Sequence, residues 1–378
     1  MKKAIVWILC LSLIISVAVP AGALRTSARA AVLMDAATGV VLYAQNENEP
    51  RAMASTTKIM TALLVLESGD LDKAYTVTAA DAAVEGSALG MKAGEVLSVR
   101  ALLTGLMLVS GNDTAHALAN ALCASQEAFV ERMNQKAKQL GLKHTHFTNP
   151  AGLSDAQHYS TALDMAVLTA AALRNPLFAA LCRQQKAEVD FIKPQKSVAV
   201  YNHNRLLAQY SGCIGVKTGY TQAAGRCLVS AARRQGQTLI AVTLSDADDW
   251  ADHKALLDDG FAHARELRFR VREVKIPVAG GGVAHISLSE QEASIRVPEE
   301  AAREVTFQIC APRFLYAPVE KGQEVAYLLI MYRSTQLQRI PLYSADAVER
   351  LQAEKRSFWE RLLHYGKYRN QTSKIFSG

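Results

Sequence analysis

The stretch that most constrains this chain is Met53-Ala-Ser-Thr-Thr-Lys-Ile-Met60, where a Ser-x-x-Lys tetrad runs straight into an apolar segment. Ile59, Met60, Leu63, Leu64 and Leu66 follow and Gly69 ends the run, which predicts a buried helix. Ser55 and Lys58 stand three positions apart, so on a helix they share one face about a turn from each other. A lysine among apolar neighbours loses preference for its charged form, and the neutral amine can take a proton from a hydroxyl beside it. The helix start adds unpaired N–H groups and the positive end of the dipole, which suit a developing oxyanion. Alone, the tetrad also reads as an N-capping serine followed by a solvated lysine. Two later stretches decide between these readings.

The chain of 378 residues, half apolar and one-fifth charged, is long enough for two domains with a sizeable core. A pI near 9.0 points to an anionic partner without choosing among nucleic acid, membrane and cell-wall polymer. The first residues narrow the choice. Lys2-Lys3, the apolar run Ala4–Val19, Pro20 and Ala21-Gly22-Ala23 have the order of a secretory signal peptide, with cleavage expected after Ala23. The apolar run is short for a membrane span. Export argues against a nucleic-acid partner. It also removes Lys2, Lys3 and Cys10, taking the formal charge from +7 to +5 and leaving Cys123, Cys182, Cys213, Cys227 and Cys310. An odd count with irregular spacing speaks against a disulfide framework or a zinc site.

Past the signal segment, Ala31–Met34 and Val40–Tyr43 flank an Asp35–Gly39 turn and predict a β-hairpin. Val99–Leu108 and Asp113–Ala124 are helical, and between them lies the polar interruption Ser110-Gly-Asn112, a way of presenting side chains in a cleft. Phe129–Gly141 and Ser160–Leu173 predict further helices around a Thr148–Leu153 turn. Gly215-Val-Lys-Thr-Gly-Tyr220 precedes the strands Arg226–Arg233 and Thr238–Leu244, so Lys217–Gly219 falls at a sheet edge, and Trp250–Arg265 packs a helix back on that sheet. Arg226 and Arg233 read as solvated strand residues, with added affinity for a carboxylate as the alternative. From about Lys275, short alternating runs between Gly and Pro turns predict a small all-β domain. Residues 353–374 carry six basic residues against two acidic ones, with Phe358, Trp359, Leu362 and Leu363 on one helical stripe. This reads as an amphipathic helix lying on an anionic membrane surface.

Ser55-x-x-Lys58, Ser110-x-Asn112 and Lys217-Thr218-Gly219 together form the set shared by β-lactamases and penicillin-binding proteins, in the same order and context. On these motifs the chain resembles the low-molecular-mass penicillin-binding proteins of the serine D-alanyl-D-alanine carboxypeptidase family. The resemblance implies an α/β (α+β) fold: a five-stranded antiparallel sheet beside a helical subdomain, then a small all-β domain and an amphipathic tail. The corresponding boundaries are 1–23 for the signal peptide, 24–270 for the catalytic domain, 271–345 for the β domain and 346–378 for the tail. It implies Ser55 as acylated nucleophile, Lys58 as its base, Ser110 as proton relay, and Asn112 on the substrate amide. Lys217 and Thr218 would hold the terminal carboxylate, Gly219 would let substrate lie close, and the backbone N–H groups of Ser55 and Tyr220 would form the oxyanion hole. The implied partners are a peptidoglycan stem peptide ending in D-Ala-D-Ala and β-lactams as covalent inhibitors, with neither metal nor cofactor.

Other readings fit less well. A penicillin-binding sensor with little turnover would carry the same motifs. A class A β-lactamase carries Glu-x-x-Leu-Asn between the second and third motifs; Glu131-Arg-Met-Asn134 does not fit, and Gly111 follows Ser110 where that class has Asp. The Gly-x-Ser-x-Gly elbow of Ser-His-Asp hydrolases is absent, and His144-x-His146 is a lone loop pair.

Overall fold

The first apolar hairpin of the described residues forms strands β1 (Ala30–Asp35) and β2 (Val41–Gln45), joined through the Asp35–Gly39 turn. The structure, a computed structural model, describes residues 24–351; the expected signal segment and the basic tail after Leu351 lie outside the described residues. Three later strands, β3 (Cys213–Thr221), β4 (Gly225–Arg234) and β5 (Gln237–Asp246), complete an antiparallel sheet in the order β2-β1-β5-β4-β3. The first hairpin therefore pairs with the last of these three strands, and β3 is left as an open edge.

Period-2 alternation explains why this sheet is covered on both sides. Val32 and Met34 of β1 face the main core, whereas Leu33 faces a second cluster under helix Asp249–Ala262. That helix approaches closely because Gly260 has no side chain: a Cβ there would meet Leu33 and Leu239 at 2.6 and 2.7 Å.

The other face carries the helices α1 (Lys58–Ser68), α2 (Val99–Leu108) and α3 (Asn112–Leu122), with Gln126–Gln139 and Ala162–Leu173 around them. Nine of the eleven α1 residues are buried, as its apolar sequence predicts, and Gly69 closes it in the left-handed conformation. Ser98 caps α2, accepting from the Ala101 N–H. A four-stranded sheet at the far side includes the hairpin Lys186–Lys193/Lys196–Tyr201, which the motif reading passed over.

A separate apolar core around Val271, Ile286, Leu328, Ile330 and Leu342 marks the C-terminal β unit. Ala264–Val271, where the sequence reading extended a helix to Arg265, is a strand that pairs with Gln291–Pro298. The strands expected at Val305–Cys310, Val325–Tyr332 and Gln338–Leu342 form as Val305–Cys310, Glu324–Tyr332 and Thr335–Tyr343, in one antiparallel sheet. The five cysteines from Cys123 to Cys310 are free thiols, Cys182 and Cys227 fully buried.

Candidate active site

Ser55 does not sit on the α-helix itself. It lies in a 3₁₀ turn, Ala54–Thr57, that feeds α1, and Ala54 enters that turn with a positive φ of 48°. A β-carbon in that region costs on the order of 1–3 kcal/mol, so the surroundings must hold it. They do so from two directions. Thr57 Oγ1 donates to the Ala54 carbonyl at 2.8 Å. His158 Nδ1 accepts the Thr148 N–H at 3.0 Å, so its proton resides on Nε2 and points to Thr57 Oγ1 at 2.8 Å. Burial pushes the His158 pKa down to about 4, which keeps this neutral tautomer in place.

Lys58 follows one turn later with its side chain wholly buried. Its Nζ is 2.9 Å from Ser55 Oγ, 2.7 Å from Asn112 Oδ1 and 2.7 Å from the Ala151 carbonyl. Two of these three neighbours, a carbonyl and an amide oxygen, can only accept. A neutral amine places its two hydrogens on them and aims its lone pair at Ser55. Desolvation, then the charge of Lys217, lowers the Lys58 pKa well below its usual range, while Asp113 opposes them.

Asn112 is held by its own second bond, Nδ2 donating to the Glu85 carbonyl at 2.5 Å, which fixes Oδ1 toward Lys58. Both ends of this amide are thus engaged inside the protein, whereas the family resemblance assigns it to substrate. The neighbouring Asp113 carboxylate collects the N–H groups of Leu89, Gly90 and Thr114 at 2.7–3.0 Å, and so anchors the segment that presents Glu85.

Ser110 sits in the middle of the α2–α3 connection with φ +60°. Its hydroxyl accepts from Lys217 Nζ at 3.0 Å. Lys217 projects from edge strand β3 into the core side, nearly fully buried, and also donates to the Thr218 carbonyl at 2.9 Å. Desolvation pulls its pKa down to about 7. Gly219 runs beside Ser55: a Cβ there would stand 3.0 Å from the Ser55 nitrogen and 3.1 Å from the Met53 carbonyl.

Ser55, Ser110, Thr218, Gly219 and Tyr220 line one cleft of about 450 Å³, with Lys58, Asn112 and Lys217 in its floor. The eight residues singled out in the sequence therefore converge. Six more line the same cleft: Ser87, His203, Arg205, Arg226, Asp249 and Trp250. Arg226, read from sequence as a solvated strand residue, sits opposite Tyr220 in the β3–β4 register, pairs with Asp249 and lies 5.8 Å from the Trp250 ring centroid. Its cross-strand pairing with Tyr220, which puts the two side chains on one face, was the signal that could have placed it in the cleft. Arg233 stays outside the cleft, solvent-exposed as read.

Residues 17–248 match the peptidase family described as D-alanyl-D-alanine carboxypeptidase. The chain is 34% identical over 343 residues to the D-alanyl-D-alanine carboxypeptidase DacF of Bacillus subtilis, across 86% of this chain and 87% of that one. The solved D-alanyl-D-alanine carboxypeptidase DacD from Francisella tularensis is 29% identical with a TM-score of 0.58, over 86% of this chain and 95% of the other. Penicillin binding protein 5 from Haemophilus influenzae is 28% identical with a TM-score of 0.61, over 86% and 98%.

Proposed function

We propose, from the premise that the chain belongs to the D-alanyl-D-alanine carboxypeptidase family, that Ser55 is the nucleophile of this serine-type peptidase and Lys58 its general base. The observation that carries the assignment is the Lys58 amine 2.9 Å from Ser55 Oγ, with two acceptor-only oxygens ready for its hydrogens. Lys58 takes the Ser55 proton as Oγ bonds to the penultimate D-alanine carbonyl. The tetrahedral oxyanion lies between the Ser55 and Tyr220 N–H groups. As the C–N bond breaks, the leaving D-alanine nitrogen receives a proton through Ser110, and water then hydrolyses the ester to restore the serine and release the trimmed stem peptide. Asn112 orients Lys58 through its Oδ1 contact. Lys217, Thr218 and Arg226 hold the terminal carboxylate, a charge-assisted grip at the edge strand. β-Lactams acylate the same serine.

The reading includes export, with the signal peptide removed after Ala23, action outside the cytoplasmic membrane, and attachment of residues 346–378 to its anionic surface. Ser55→Ala abolishes both D-alanine release from a pentapeptide and covalent labelling by a fluorescent penicillin; labelling that persists in this variant would falsify the mechanism.

A further inference from the structure

The C-terminal β unit ends in an apolar tip that the catalytic reaction does not use. Val283 lies in the turn between Lys275–Ala279 and His285–Ser287, and Tyr316 pairs in register with Ala279. Leu351 donates its N–H to the Gly280 carbonyl at 2.9 Å, which brings the end of the described chain onto the same turn. Phe314 and Tyr316 stack edge-to-face, 5.1 Å between centroids. All four side chains are exposed: Val283 50%, Phe314 46%, Tyr316 73% and Leu351 62%. Apolar groups clustered this openly mark a surface that meets something.

Charge identifies the partner. Arg265, Arg268, Arg270, Arg333 and Arg339 of this unit each pair with a glutamate. Arg313 and Arg350, which flank the tip, take no part in such a pair among the described residues, and Glu349 is the one acid adjacent to them in sequence. The chain then continues from Leu351 into residues 353–374, whose net charge is +4 and whose apolar stripe begins at Phe358. Six intervening residues span at most about 20–25 Å when fully extended, so tip and tail reach one surface.

We propose that this tip is itself a membrane contact: Phe314 and Tyr316 enter the headgroup boundary of an anionic bilayer while Arg313 and Arg350 meet lipid phosphates. The choice of lipid as partner rests on the membrane reading of the tail. Two contacts on one unit restrict its tilt on the bilayer, where a tail alone would leave the body free to swing.

The test uses the full-length mature chain and vesicles of phosphatidylglycerol and phosphatidylethanolamine, with bound fraction read by sedimentation. Phe314→Ser with Tyr316→Ser lowers partitioning at least about tenfold, while D-alanine release without vesicles stays at the wild-type rate. Phe358→Ser with Trp359→Ser tests the tail separately, and the combined variant binds more weakly than either. Wild-type binding by the Phe314/Tyr316 variant overturns the proposal, whatever the tail variant does. Should that variant fail to fold, Arg313→Gln and Arg350→Gln each lower binding to anionic vesicles about fivefold, and no change there overturns it equally. Faster proteolysis of the tail in the Phe314/Tyr316 variant without lipid, with binding unchanged, means the tail covers the tip and also overturns it. Loss of D-alanine release in Ser55→Ala bears on the catalytic reading alone.

Discussion

The Nζ of Lys217 lies 3.0 Å from the hydroxyl oxygen of Ser110, so the cation proposed to bind the substrate carboxylate also touches the group proposed to pass a proton. Its other contact is a neutral carbonyl. Burial among such partners brings its pKa to about 7, and the free enzyme loses this charge as pH rises through that value. kcat/KM for a substrate with a free terminal carboxylate therefore declines on the alkaline side of about pH 7, while Lys58 sets the acid limb because it acts as the neutral amine. A bound carboxylate favours the ammonium, so the alkaline limb of kcat lies higher than that of kcat/KM. Lys217→Arg keeps its charge at all these pH values and moves the alkaline limb upward with a lower maximum. An unmoved limb in this variant, read from pH profiles of both parameters, assigns the titration elsewhere.

Arg226 supplies a charge that does not titrate in this range. The Asp249 carboxylate holds it, raising its pKa further, and both side chains line the cleft. Arg226→Ala is expected to raise KM about tenfold with kcat within about threefold, the signature of lost uniform binding. A peptide ending in D-alaninamide, which lacks the carboxylate, distinguishes this from a general disturbance: its KM stays the same in wild type and variant. Asp249→Asn frees the guanidinium without removing it and gives a smaller rise.

The family-level geometry was legible because each motif carries its own local context. An apolar run after Lys58, a polar break between two helical stretches at Ser110–Asn112 and a Gly-flanked strand at Lys217 each announce where their side chains point. Arg226 was not legible in the same way, since a lone arginine on an alternating strand looks the same whether it faces water or a cleft; the cross-strand register decides. The strand Ala264–Val271 was missed because Arg265, Glu266, Arg268 and Arg270 give it little apolar signal, and its pairing with Gln291–Pro298 is a long-range contact. The Thr148–Leu153 segment reads in sequence only as a turn. Its role, an Ala151 carbonyl for Lys58 and a glycine behind the nucleophile, emerges only from the folded backbone.

Gly152 is the clearest case. It has a φ of +86°, and a Cβ there would stand 2.0 Å from the Ala54 carbonyl oxygen and 2.9 Å from Thr57 Oγ1. Gly152→Ala must displace the turn that carries Ser55, and acylation by penicillin is expected to slow by about a hundredfold or more. Gly69→Ala is the control. Its φ is +79°, but nothing lies within 4 Å of the added carbon. It costs about 1 kcal/mol of stability and leaves the acylation rate alone. Stopped-flow labelling beside thermal melts separates the two effects; equal acylation rates in both variants would refute the packing account of the nucleophile turn.

His253 sits beneath the sheet, fully buried, with Ser230 Oγ 2.6 Å from Nδ1 and Thr243 Oγ1 3.0 Å from Nε2. These hydroxyls satisfy a neutral ring of either tautomer but bring no counter-charge, and burial depresses the pKa to about 3. The unfolded chain binds this proton below about pH 6.5 and the folded one does not until about 3. Stability is therefore lost as pH falls through that window, at about 1.4 kcal/mol per pH unit once well below 6.5. His158, with its pKa near 4, acts in the same sense. Asp246 opposes them, because its raised pKa of about 6 lets the folded state take a proton first. His253→Gln keeps a hydrogen-bonding side chain but cannot titrate. Its melting temperature should lie below wild type at pH 8 and fall less steeply between pH 6.5 and 4. Parallel melting curves for the two proteins across that range would place the acid sensitivity in other groups.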